Sequence, residues 1–391
     1  MPSRFRHFPQ LDGWRGISII LVLIGHTLAY SLCLPAPFNR IDEFATLGVL
    51  CFFILSGFLI TGLLLEEEKV SSTISLTRFY CRRVLRIIPA YYLFIAAVAL
   101  LMLANLVTDV PWFTVAICLL FLRDLAGRSI TLGHTWSLSL EEQFYLIWPF
   151  LLSKLPGNKR ITSVLGVCLA IATWRFFAIN IGIWHPYNSF RPDFRFDCIL
   201  AGCLLALLHQ NSVSTGTETK TGTGTEIRSD SGSGSASGSA HRVQNGDPDP
   251  RQSTDNAPRR ERRHPAGIGS PVLLLIPLIL VWTLFTAGTT WALPIYLTVQ
   301  LWLAALLFWY LLVQENSWFA RALSHPVLRW FGKISYSLYL WQQLFIAMKI
   351  PSWGIIRTFP FDLLCALAVS CLSYYLVERP FLKLKKKFQT S

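Results

Sequence analysis

Leu11–Leu34 reads LDGWRGISIILVLIGHTLAYSLCL. It is apolar over the roughly 20 residues that one bilayer crossing needs, so it predicts a transmembrane helix. Asp12 and Arg15 stand at its start and His26 lies deep inside. Arg15 and His26 are eleven residues apart. At about 3.6 residues per turn that is nearly three whole turns, which puts both on one helix face some ~16 Å apart along the axis. An ionisable group at bilayer depth costs at least ~2.5 kcal/mol, so its presence points to a function. The plainer reading is that Arg15 snorkels to the headgroups and His26 is a hydrogen-bonded bundle residue.

The rest of the chain fits this start. Of 391 residues, 53% are hydrophobic and only 15% are charged; the mean hydropathy is +0.45. Apolar runs fall near 16–34, 44–65, 87–107, 112–122, 143–153, 161–183, 196–208, 271–287, 292–313, 334–350 and 360–377. This excludes an ordinary soluble domain and predicts an all-α, polytopic membrane helix bundle. Basic rims set the orientation: Arg4 and Arg6, then Arg78 to Arg86, Lys154 to Arg160, Arg259 to Arg263, Arg321 to Lys333 and Lys383 to Lys387 all lie inside, which places both termini on the cytoplasmic side of the cell membrane. These rims agree only if 112–122 does not cross. Residues from about 108 to 140 then form an outer or re-entrant segment, leaving about ten spans.

The net charge is +13, of which residues 209–270 contribute only +1. The remainder sits in short rims between apolar runs, so nucleic acid is not an expected partner. Residues 209–270 are rich in Gly, Ser and Thr and cannot bury enough surface to offset their ordering entropy, which predicts a disordered linker. The expected organisation is a first membrane part over 8–208, the linker at 209–270, a second membrane part over 271–380 and a basic tail over 381–391. Nine cysteines are scattered without metal-type spacing and read as small core residues, with no metal expected. The basic N-terminus precedes a run too long for a cleavable signal.

Further motifs carry chemistry. CFFILSGFLITGLL places Ser56, Gly57 and Gly62 in a Phe/Leu helix, for close packing or for an opening beside a ligand. In RFYCRRVLRIIPAYY, Arg83 and Arg86 share one face, as topology determinants or as a bidentate phosphate clamp. GHTWSLSLEEQFYLIWP carries His134, Trp136, Ser137, Glu141 and Glu142. The two carboxylates point about 100° apart, so at most one faces a given site. FRFDCILAG puts Arg195 beside Asp197, where a structural ion pair is the expected reading.

In order, LDGWRG with His26, FFILSGFLIT, RFYCRRVLRIIPAYY, HTWSLSLEEQFYL, FRFDCILAG, ISYSLYLW and VERPF resemble the membrane acyltransferase-3 family over nearly the whole chain except 210–270. The resemblance implies a ten-span bundle that moves an acyl group, commonly acetyl from acetyl-CoA, onto a hydroxyl of a glycan or other small molecule. The matching positions are Arg15, His26, Ser56, Gly57, Arg83, Arg86, Trp136, Ser137 and Glu141. One position departs: the late motif usually has histidine after YLW, and here Gln342 stands there.

The expected function is an integral membrane O-acyltransferase. His26, Arg15 and Glu141 form the catalytic set, with His26 as the base, which an imidazole that titrates near neutral pH suits, or as the transient carrier of the acyl group. Arg83, Arg86, Ser56 and Gly57 bind acetyl-CoA or another acyl-CoA, with Arg15 at its phosphates. Asp12, Trp136, Ser137, Glu142, Arg195 and Asp197 are supporting. Glu141 is expected to orient His26 or the acceptor, a carbohydrate or lipid-linked glycan. The competing classes are a transporter, which should show the internal repeats this sequence lacks, and a scaffold acting through 209–270. A soluble-type glycerolipid acyltransferase is disfavoured, because no acidic residue follows His26 at four or five positions.

Overall fold

The computed structural model describes residues 8–32, 43–125, 129–183, 190–221, 274–286, 293–348 and 350–385. Its described regular elements are all helices. Six are long and apolar enough to cross a membrane: Pro9–Tyr30, Glu43–Ser71, Leu76–Leu103, Gly157–Ala178, Ile295–Val313 and Phe361–Lys385. Bulky apolar side chains such as Leu100, Leu103, Phe113, Leu146, Phe150 and Leu376 are exposed on the outside of the bundle, as a lipid-facing surface requires.

In chain order the helices are α1 (Pro9–His26), α2 (Glu43–Ser71), α3 (Leu76–Leu103), α4 (Trp112–Leu119), α5 (Trp136–Lys154), α6 (Arg160–Asn180), α7 (Pro192–Thr221), α8 (Leu275–Thr286), α9 (Leu293–Val313), α10 (Trp318–Leu323), α11 (Pro326–Ile346), α12 (Phe361–Ser373) and α13 (Arg379–Lys385). α4 has 8 residues and spans only ~12 Å, so the apolar run at 112–122 cannot cross. α5, α7 and α11 are long but carry polar residues inside the bundle, among them Ser137, Arg195, Asp197, Gln342 and Gln343.

α2 is central. It is apolar all round, and 78% of its most apolar window is buried, against 22% for the α6 span at the periphery, as expected of a helix surrounded by protein. Small residues set two tight crossings. Gly13 and Gly16 of α1 lie on the Leu323 and Leu328 carbonyls, while Gly332 of α11 lies on the Asp12 carbonyl. Gly57 of α2 meets Ile199, and Gly202 of α7 meets Ile54, so a side chain at any of these positions would overlap backbone. α1 therefore lies between α2 and α11, and α7 backs onto α2.

Two boundaries differ from expectation. α3 starts at Leu76, capped by the Ser75 hydroxyl, which accepts from the Arg78 amide at 3.4 Å. The basic stretch read as an inner loop is thus the first turns of a spanning helix. α7 runs to Thr221, past the boundary expected at 208, because extending an existing helix costs far less than nucleating one. The remainder of the expected linker, and Lys386 and Lys387 of the tail, lie outside the described residues.

The connection between α3 and α5 is tied by one carboxylate. Asp109 accepts from Thr131 Oγ1 at 2.6 Å, Ile130 N at 3.0 Å, Thr131 N at 3.1 Å and Ser129 Oγ at 3.2 Å.

Candidate functional site

A cavity of about 280 Å³ opens at the end of the bundle that carries the start of α1 and the end of α13. Six helices supply its wall: Arg15 from α1, Ser56 from α2, Arg83 and Arg86 from α3, Ser137, Glu141 and Tyr145 from α5, Tyr336 and Tyr339 from α11, and Lys385 from α13. Helical spacing explains the gathering. Arg83 and Arg86 are one turn apart, as are Ser137, Glu141 and Tyr145 in succession, so each set projects from one face.

Four cations thus meet one lining carboxylate. The Arg83 guanidinium lies over the Tyr145 ring at 5.1 Å and over the Phe79 ring at 5.5 Å. Tyr145 donates its hydroxyl proton to Glu141 Oε2 at 3.0 Å and is hydrogen-bonded to Ser56. Tyr336 donates to the Ile87 carbonyl at 2.9 Å, fixing α11 against α3. Arg15 keeps a loose contact with Asp12 at 3.8 Å. The wall between the polar groups is apolar, including Phe52, Phe53, Leu59 and Leu63.

At the inner end of the cavity, Tyr339 donates to the His134 carbonyl at 2.8 Å and is bonded to Ser137 Oγ at 2.7 Å. One turn further along α11 lies Gln342, whose Oε1 is 2.9 Å from His26 Nδ1. α1 is continuous from Arg15 to His26, and α11 meets it at both ends. The turn after His26, Thr27–Ser31, is wound as a π-helix, a local irregularity common at functional positions. His134 Nε2 donates to the Leu340 carbonyl at 3.1 Å.

The expected residues divide. Arg15, Ser56, Arg83, Arg86, Ser137 and Glu141 share the cavity; His26 does not line it but meets Gln342, one turn after the lining residue Tyr339 on α11. Glu141 faces Tyr145 and the cation cluster, and the side chain that meets His26 is Gln342. Gly57 faces the Ile199 carbonyl on α7, so it serves packing and Ser56 alone of that pair lines the cavity. Of the adjacent carboxylates Glu141 lines the wall and Glu142 does not, although Glu142 remains within electrostatic reach of Arg83 and Arg86. Trp136 packs on Phe53 at 5.8 Å and Phe190 at 4.5 Å, with Arg195 over its ring at 5.7 Å. Asp197 makes its ion pair with the buried Arg175 of α6 and stays within electrostatic reach of Arg195.

Sequence reading missed Tyr145, Tyr339, Lys385 and Arg175. Lys385 was legible only as a topology charge. Arg175 stands within the apolar run CLAIATWRFF, which is the signal that could have found it.

The sequence matches the family described as an acyltransferase domain over residues 8–378. A Staphylococcus aureus (strain COL) protein named "Putative O-acetyltransferase" is 27% identical over 409 aligned positions, covering 97% of this chain and 58% of that protein. The peptidoglycan O-acetyltransferase OatA of Listeria monocytogenes is 32% identical over 224 residues, 52% of this chain and 34% of its own length. The O-acetyltransferase OatA of Staphylococcus aureus (strain NCTC 8325 / PS 47) is 30% identical over 227 residues, 52% of this chain and 35% of its own length. This chain therefore spans little more than half of the first relative's length. No solved structure matches it.

Proposed function

The chain belongs to the acyltransferase-3 family, and on that premise we propose that it transfers an acyl group, acetyl in the first instance, from acyl-CoA to a hydroxyl of a carbohydrate. The observation that carries this reading is the convergence of Arg15, Arg83, Arg86 and Lys385 from three separate parts of the chain on one cavity, with His26 bonded to Gln342 one turn after the cavity residue Tyr339.

The cation cluster suits the phosphates of CoA. A phosphomonoester carries about −1.5 to −2 charges near neutral pH, and guanidinium forks bind phosphate oxygens bidentately. Pockets that enclose a drug-sized ligand measure about 300–1,000 Å³. The cavity of about 280 Å³ suits a thin pantetheine arm, with the nucleotide left at the mouth. With both termini in the cytoplasm, that mouth faces the compartment that supplies acyl-CoA.

In this mechanism His26 takes the proton of the acceptor hydroxyl as its oxygen attacks the thioester carbonyl. The C–O bond forms, the C–S bond breaks, and the CoA thiolate leaves. The proton held by His26 then passes to the thiolate or to water. Arg15, Arg83, Arg86 and Lys385 hold the donor, and the apolar wall keeps water from the thioester. Glu141 and Tyr145 keep the cation cluster in place.

The test is the full-length protein in proteoliposomes with radiolabelled acetyl-CoA and a chitooligosaccharide. Wild type forms an alkali-labile acetyl ester, and His26→Ala inserts normally but forms none. Wild-type turnover by His26→Ala would falsify the mechanism. Uptake of a separately labelled chitooligosaccharide in the absence of donor would instead establish transport.

A further inference from the structure

Three side chains form a hydrogen-bonded line that starts on a backbone carbonyl and ends on His26. Gln343 Nε2 donates to the Ile130 carbonyl oxygen at 3.0 Å. A carbonyl oxygen can only accept, so Gln343 must turn its amide nitrogen toward Ile130 and its Oε1 away. Gln342 Nε2 donates to that Oε1 at 3.4 Å, the longest link. Gln342 Oε1 is thereby left facing His26 Nδ1 at 2.9 Å. Oε1 carries no proton, so Nδ1 must supply it. A neutral imidazole has one N–H, and its other nitrogen, Nε2, keeps the lone pair.

We propose that Gln342 is a positioning residue that holds His26 in the Nδ1–H tautomer, making Nε2 the basic atom. This inference rests on the reading of His26 as the base. Both glutamines are buried, Gln342 completely, so turning either amide would set two donors or two acceptors face to face where water cannot relieve them. The anchor is itself rigid: Ile130 belongs to the turn whose amides and hydroxyls converge on Asp109. The segment between α3 and α5 therefore reaches the base through two amides.

Among the described residues, the titratable side chains that reach His26 are Tyr30, whose ring meets it edge-on at 5.9 Å, and His134, within electrostatic range. Neither stands where Gln342 stands. A glutamine cannot titrate, so the link orients the imidazole without adding charge beside it.

The experiment uses the full-length protein in proteoliposomes with 15N-histidine labelling, the His26 signals being identified by subtraction of the His26→Ala spectrum. Wild type shows a protonated Nδ1 and an unprotonated Nε2. Gln342→Leu loses the single tautomer, and kcat falls by at least ~10-fold while KM for acetyl-CoA stays unchanged. Gln342→Glu keeps the acceptor toward His26 and so the tautomer, while giving up the donor to Gln343 Oε1. Its carboxylate raises the imidazole pKa, and since only neutral imidazole accepts a proton, the acid limb of kcat moves to higher pH by about 1–3 units. An Nε2–H tautomer in wild type, or a Gln342→Leu protein with unchanged spectrum and kcat, overturns the proposal. Turnover by His26→Ala would sink the base itself, a different outcome from an inactive His26→Ala beside a normal Gln342→Leu.

Discussion

Arg82 donates to Glu67 at 3.0 Å, whereas the next residue, Arg83, lies over the Tyr145 ring and opens onto the cavity. The same contrast separates two regions of the molecule. Around α6, arginines are spent in pairs: Arg160 holds Glu68 with two bonds of 2.6 and 2.7 Å, and Arg175 holds Asp197. At the cavity, Arg83, Arg86 and Lys385 make no ion pair among the described residues. A cation already matched to a carboxylate locks helices together. Cations gathered without such partners repel one another, and on the proposed reading a bound anion offsets that repulsion. Pairing, more than position in the sequence, separates the two kinds of arginine.

The largest effect should come from the cavity. Each charge-assisted hydrogen bond contributes about 1.5–3 kcal/mol, so Arg83→Ala with Arg86→Ala should raise KM for acetyl-CoA by ~100-fold or more. Thermal unfolding in detergent should move little. An unchanged KM would place these two with the structural arginines and end the comparison.

A smaller effect, read in stability, is expected at the other region. Arg175→Leu strands a buried Asp197, which costs about 3 kcal/mol or more. Combining it with Asp197→Leu should recover most of that loss, because neither charge is then left alone. Both proteins should keep the wild-type KM for acetyl-CoA. A KM defect in the double variant matching that of the Arg83/Arg86 pair would show that the pairing criterion fails.

The smallest effect sharpens the boundary of the cluster. Lys385 is a single ammonium, so Lys385→Met should weaken donor binding by about 1 kcal/mol, roughly five- to ten-fold in KM. Its wild-type value in Lys385→Met would restrict the donor site to the three arginines.

Much of the membrane architecture is legible in the amino-acid order alone. Apolar runs of spanning length, the short run 112–122 and the fixed spacing of Arg15 and His26 follow from local periodicity, and α1 and α4 bear this out. Motif resemblance names Arg15, Arg83 and Arg86 together, whereas Glu141, expected at His26 or the acceptor, joins them only through the packing of α5. Gly57 is a different case: a small residue permits either a ligand or a neighbouring backbone to approach, and only the position of Ile199 decides between them.

The sequence by itself determined the helices, which face each polar residue occupies on its own helix, and the family. Tertiary structure alone decided how those helices are rotated against one another. It brought Lys385 to Arg83, gave Asp197 to Arg175, and turned Glu141 to Tyr145 while setting Gln342 on His26 across 316 positions of chain. The reason is physical: helical periodicity comes from hydrogen bonds four residues apart, whereas rotation between helices comes from the packing of glycines and bulky side chains that are distant in sequence.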